Sequence, residues 1–179
     1  MADLKKTKIT KEEACVLAFI QEAWESSQNW LVVFDKLKQQ YHAPEFSYVS
    51  YVINFCAARG YLHILQWMRM PSERPSEIPG WSNWTCAVAA LNGHLHVLEW
   101  LRNPVSPDGK QLPCGPCPWD ERVCAAAALN GQVEVLEYLY EAEAPYYLCN
   151  FYEIHENCKQ FIYAYGESWK SRRFDVPLN

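Results

Sequence analysis

The sequence predicts an all-α protein: a short solenoid of stacked antiparallel helix pairs, with connector fingers and atypical terminal caps. Three observations predict it. First, the prolines are clustered, at 44, at 71, 75 and 79, at 104, 107, 113, 116 and 118, at 145 and at 177, and the stretches between clusters are each long enough for two short helices. Proline inside a helix loses a hydrogen bond and clashes with the preceding turn, so the clusters mark connectors. Second, one pattern recurs from a glycine: Gly60-Tyr-Leu-His-Ile64-Leu65-Gln-Trp-Met68, Gly93-His-Leu-His-Val97-Leu98-Glu-Trp-Leu101 and Gly131-Gln-Val-Glu-Val135-Leu136-Glu-Tyr-Leu139. Apolar residues four, five and eight places beyond each glycine make one helical stripe. Third, each glycine follows small side chains, in Cys56-Ala-Ala-Arg59, Ala89-Ala-Leu-Asn92 and Ala127-Ala-Leu-Asn130. These let one helix pack closely on its neighbour before the glycine turns the chain into the next.

The elements follow in order. Thr10-Lys-Glu-Glu13 is a capping box that opens a helix through about Trp24, and a second helix is expected near Trp30 to Gln40, so 10–43 reads as an N-terminal cap pair. Repeats follow at 45–70, 80–103 and 119–144. Each opens on an aromatic, Tyr48, Trp81 or Trp119, twelve residues before its glycine. Ser82 and Asp120 stand directly after the two tryptophans as N-cap residues. Near the C-terminus Pro145-Tyr146 echoes Pro118-Trp119, and Asn157-Cys158 falls where Asn130-Gly131 would. Residues 146–173 therefore read as a C-terminal cap repeat, its departures suited to a face that meets water. The whole chain, 1–179, reads as one repeat domain.

This organisation resembles the ankyrin repeat family, whose period is about 33 residues. The spacing here is 33 residues from Gly60 to Gly93 and 38 from Gly93 to Gly131. The family's Ala-Ala-x-x-Gly-His-x-x-Val core is matched best by Ala89-Ala90-Leu91-Asn92-Gly93-His94-Leu95-His96-Val97. Its Thr-Pro-Leu-His signature is replaced by Trp84-Thr85-Cys86-Ala87 and Arg122-Val123-Cys124-Ala125, which makes this a divergent, Trp- and Cys-rich version. The resemblance covers 45–144. It implies a rigid concave surface, made by fingers and inner helices, that binds another protein. Carried over position by position, the family's usual contacts fall on Tyr48, Ser50 and Arg59, on Trp81, Asn83 and Asn92, and on Trp119, Glu121 and Asn130. The recurring aromatic also has a structural reading, as a stacking ladder that holds the connectors.

Composition excludes several classes. With 16 basic and 21 acidic residues the formal charge is −5, which argues against a phosphate-backbone binder. The longest apolar run, Val123 to Leu129, falls well short of the roughly 18 residues a membrane helix needs. The polar N-terminus is not a secretory signal. Eight cysteines without an export signal suit a reducing compartment, so free thiols and a cytoplasmic or nuclear location are expected. Cys15, Cys56, Cys86 and Cys124 sit among apolar neighbours as small buried hydrophobes.

Cys114-Gly-Pro-Cys117 spells the active-site tetrapeptide of thioredoxins, but it follows a turn-rich connector where a buried strand would be needed. A stiff inter-repeat loop is the expectation. A zinc set could combine Cys114 and Cys117 with His155 and Cys158. The repeat register places the second pair near the far end of an inner helix, roughly 15 Å long, whereas zinc needs ligands within about 2.3 Å. His94 and His96 are two apart at a helix start and point to different sides, with a turn hydrogen bond expected for His94. No phosphate loop, dinucleotide loop, nucleophile elbow or zincin string occurs, so no cofactor, metal or catalytic residue is assigned.

The connector Asn103–Pro118 holds the five extra residues, and its Asp108-Gly109 predicts a tight hairpin that presents Asp108 and Lys110. From Trp119 to Glu156 eight acids face one base, Arg122, which is a solvated helix face or a dock for a basic partner. The expected function is non-enzymatic protein–protein recognition by a chain that is a monomer on its own. The alternatives are a structural subunit of a larger assembly and a thiol-redox protein using Cys114 and Cys117.

Overall fold

Three helix pairs turn on a glycine in the left-handed region. The φ angles of Gly60, Gly93 and Gly131 are 75°, 74° and 78°. Beyond the first two glycines the chain closes a double-bonded cap. The amide of Tyr61 donates to Cys56 O at 2.9 Å and that of Gly60 to Ala57 O at 3.4 Å, with His94 to Ala89 O at 3.0 Å and Gly93 to Ala90 O at 3.2 Å in the next pair. Both bonds satisfy carbonyls that a helix end would otherwise leave open.

The computed structural model describes residues 18–22, 25–26, 47–69, 80–146 and 154–171, and divides the chain into two units, 1–43 and 44–179. In the first unit residues 18–22 are helical and Ile20 is buried. The capping box, the helix expected at 30–40 and Cys15 lie outside the described residues. In the second unit the helices are α1 (Ser47–Arg59), α2 (Leu62–Met68), α3 (Asn83–Leu91), α4 (Leu95–Arg102), α5 (Glu121–Asn130), α6 (Val133–Glu141) and α7 (Glu156–Ser171). The described residues are all-helical, apart from connectors and one isolated antiparallel bridge between Val105 and Gln111.

The apolar stripe buries as its spacing requires. Ile64, Leu65 and Met68, then Val97, Leu98 and Leu101, then Val135, Leu136 and Leu139 are each 1% exposed or less. Each such side chain contributes about 1.5–3 kcal/mol. The small residues do the complementary work. Cys56 and Ala57 on α1, Cys86, Ala89 and Ala90 on α3, and Cys124, Ala127 and Ala128 on α5 have no exposed surface. Helix α3 packs on both α1 and α5, and α6 on both α4 and α7. Burial pushes the Cys56 thiol up to about 12, in keeping with a cysteine that acts as a hydrophobe.

Two expectations change. Asp120 caps α5 by accepting from the Arg122 amide at 3.0 Å, but Ser82, at the matching position of α3, does not cap. Its hydroxyl instead reaches Asn54 Oδ1 at 3.1 Å, which also accepts from the buried Thr85 hydroxyl at 2.7 Å, so the polar group ties α3 to α1. At the C-terminal end the turn expected at Asn157-Cys158 lies four residues earlier, with Ile154 in the glycine position. Both residues are in the first turn of α7, and His155 takes the place held by His94 and Gln132 in the earlier pairs. His155 and Cys158 thus stand at a helix start, not at the far end of one.

Candidate functional site

The aromatic row sits at the joints between helix pairs. One face of Trp81 is covered by the Arg69 guanidinium at 3.8 Å, and Trp100 of α4 meets it edge-on at 5.9 Å. Its indole N–H donates to Gly115 O at 2.9 Å, on the connector beyond α4. Trp119 repeats the arrangement, with Arg102 at 4.0 Å and Tyr138 at 6.4 Å. Tyr146 takes the position in the last unit but stacks on Trp169 at 4.6 Å in place of a cation, and burial pushes its phenol up to about 12. Arg69 is only 5% exposed, and burial lowers its guanidinium to about 10. An arginine held over an indole there is a packing element.

The other residues matched to contact positions separate into two groups. Asn92 donates to Val88 O of its own helix at 2.8 Å, and Asn130 donates to Leu91 O of the preceding pair at 2.6 Å. Arg59 lies over Phe55 at 5.4 Å, and Ser50 is half-buried. The side chain of Tyr48 lies outside the described residues. Asn83 and Glu121 are exposed in the first turns of α3 and α5, and Asn83 donates to Asp120 at 3.2 Å.

That contact leads to a feature the sequence reading passed over. Trp84 is 56% exposed and Leu129 46% exposed. The Arg122 guanidinium lies 4.8 Å over the Trp84 ring. Asp120 holds Arg122 there, accepting from Nε at 2.9 Å and Nη2 at 2.5 Å. Those bonds to Arg122 hold the Asp120 carboxyl below its ordinary value, and the same pairing raises Arg122. The available signal was positional: Trp84 and Arg122 share one place in the repeat, three residues beyond the ladder aromatic.

His94 and His96 do not diverge as a helical count predicts, because His94 precedes α4. Their rings meet edge to face at 6.0 Å and both reach back to the preceding pair, His94 Nε2 to Ala58 O at 3.1 Å and His96 Nε2 to Gly60 O at 3.3 Å. The His94 ring fills the space a Cβ on Gly60 would need, and burial lowers its pKa.

The connector 103–118 forms the hairpin its Asp-Gly predicts. Ser106 N–H donates to Lys110 O at 2.8 Å, Gly109 has φ 81°, and Asp108 pairs with Lys110 at 2.6 Å at the exposed tip. Its base is fastened to α4, with the Trp100 indole donating to Val105 O at 2.9 Å and Arg102 to Cys117 O at 2.5 Å. Cys117 is fully buried, its thiol directed to Ser82 O at 3.7 Å. Cys114 is half-buried, and burial raises its thiol pKa. No helix begins until Glu121, so neither thiol sits at a helix N-terminus, where a thiolate would be favoured. No group of three or more potential metal ligands gathers among the described residues. The chain matches no protein-family model, no curated protein and no solved structure.

Proposed function

We propose that residues 44–179 are an ankyrin-like stack of helix pairs that works as a non-enzymatic recognition module for another protein, binding through a concave face of inner helices and through the finger 103–118. The observation that carries this reading is a contrast in anchoring. The joints are locked by Arg–Trp contacts and the finger base by hydrogen bonds, while Trp84 and the finger tip are presented to solvent on that rigid support. Rigid scaffolds with exposed anchors lose little freedom on binding. The net charge of −5 points away from nucleic acid, and no helix among the described residues is long and apolar enough to cross a membrane. On this reading the free chain is a monomer of the cytoplasm or nucleus.

The test is affinity capture from a cell extract followed by size exclusion of the native complex, with the intact chain and with a variant shortened across Ser106–Gln111. The finger variant should bind about 1–3 kcal/mol more weakly with an unchanged melting temperature. Absence of any complex with the intact chain would sink the recognition reading. Full binding by the shortened chain would remove the finger from it.

A further inference from the structure

We propose that the face of α3 and α5 carrying Trp84 and Leu129 docks a basic amphipathic helix of another protein, with apolar side chains on the tryptophan and the leucine and a lysine or arginine against Glu121. This rests on the recognition function proposed above and adds the site and the chemistry of the partner. Neither Trp84 nor Leu129 belongs to the aromatic row, whose rings are taken up at the joints.

The register of the two helices makes the face continuous. The Arg122 guanidinium over the Trp84 ring places the first turns of α3 and α5 side by side. From there Val88 and Leu91 follow Trp84 by four and seven residues, and Ala126 and Leu129 follow Arg122 by the same intervals, so each set lies on one stripe of its helix. Val88, Leu91 and Ala126 are half-buried, with the two larger exposed side chains at opposite corners. Seven residues of helix span roughly 10 Å, about two turns of a partner helix. The Asp120–Arg122–Asn83 contacts hold the guanidinium on Trp84 before any partner arrives, which lowers the ordering cost of binding.

Charge selects the partner. The charged residues at the start of α5, on the edge of this face, are Asp120, Glu121 and Arg122; Asp120 matches the charge of Arg122, so the carboxylate of Glu121 sets the local sign. Glu121 is exposed in the first turn of α5, next to Arg122 in sequence and at the edge of the face. An acidic segment, or a second copy of this chain bringing the same Glu121, meets like charge there. A basic segment is steered in and held.

The experiment is selection of peptides of about 16 residues, roughly 24 Å of helix, from a random displayed library on the full chain. Enriched peptides are then measured by fluorescence anisotropy at low and high salt. The expected peptides carry apolar residues four and seven apart with lysine or arginine on the flank. Their affinity should fall at least tenfold with Trp84→Ala and severalfold with Leu129→Ser. Glu121→Lys should weaken binding and flatten its salt dependence. Both apolar positions are exposed, so melting curves of these variants should overlay the parent. Enriched peptides that are acidic, or that bind Trp84→Ala and Leu129→Ser as well as the parent, overturn the proposal. If those peptides are lost instead on shortening Ser106–Gln111, this site falls while the recognition reading stands. A library that returns no binder overturns both.

Discussion

The joints at Trp81 and Trp119 are written with nearly the same residues and are held differently. In both, an arginine closing one outer helix covers the indole that opens the next pair, and an aromatic of the following outer helix meets it edge-on. At Trp81 the cation is almost fully buried and the indole N–H reaches forward to Gly115, so one side chain links α2, α4 and the finger. At Trp119 the cation is half-buried and spends a donor on Cys117 O, holding the finger from its own side. The lesson is that a repeated motif fixes the kind of contact, whereas the number of partners, and so the energetic weight, depends on what the neighbouring repeat offers. The finger creates that asymmetry, because its Gly115 supplies a carbonyl to the preceding tryptophan.

The largest expected effect is Trp81→Ala, which should cost about 3–5 kcal/mol in urea unfolding, since it opens a cavity and leaves Gly115 O and Arg69 without the indole. Trp119→Ala should cost less, about 2–3 kcal/mol; equal losses at the two sites would break the comparison. Gly93→Val comes next, at about 2–3 kcal/mol, because its left-handed φ penalises a β-branched residue and a Cβ there would collide with the Gln132 side chain. A tolerated Gly93→Val would mean that this turn does not set the register between pairs.

The smallest effect separates two joints of a different kind. The residue after each of the turn glycines Gly93 and Gly131 packs on the glycine of the preceding pair, His94 on Gly60 and Gln132 on Gly93. Only the first can titrate. Burial holds the His94 pKa in the fold below its ordinary value of 6.5, so the folded state binds the proton less tightly than the unfolded chain. The stability this neutral histidine contributes is present above the unfolded value and is lost as pH falls below it. Arg59 and His96, the charged and titratable groups acting on it, push in the same direction. Melting temperature should therefore fall between pH 7.5 and 5.5, and His94→Gln, which copies the second joint, should reduce that slope. An unchanged slope would place the pH sensitivity elsewhere.

Much of the scaffold could be read from the residues alone. The prolines at 104–118 located that connector, the glycine-anchored stripe located the buried faces of α2, α4 and α6, and Asp108-Gly109 located the hairpin. All are local: each depends on a backbone preference or on the 3.6-residue period. The last unit was misread because Cys158 has no φ preference to mark a turn, and the true register shows only in His155 lying on Gly131. Ser82 was misread as a cap because Asn54, 28 residues upstream, offers it a better partner.

The candidate surface was legible only in part. The sequence pointed to Trp81 and Trp119 as aromatics at contact positions and also allowed them to be a ladder; the arginines that cover them settle where their rings lie. Trp84 carries only a positional mark in the chain, the repeat place it shares with Arg122, and one more tryptophan among eight says nothing about exposure. By itself the sequence determined the three helix pairs between Ser47 and Glu141, their turns and their apolar faces, because those follow from torsional preference and periodicity within a few residues. Which tryptophan is clasped and which is offered to solvent was decided only by the tertiary structure, because exposure is set by groups on neighbouring repeats, and their approach depends on how the pairs pack.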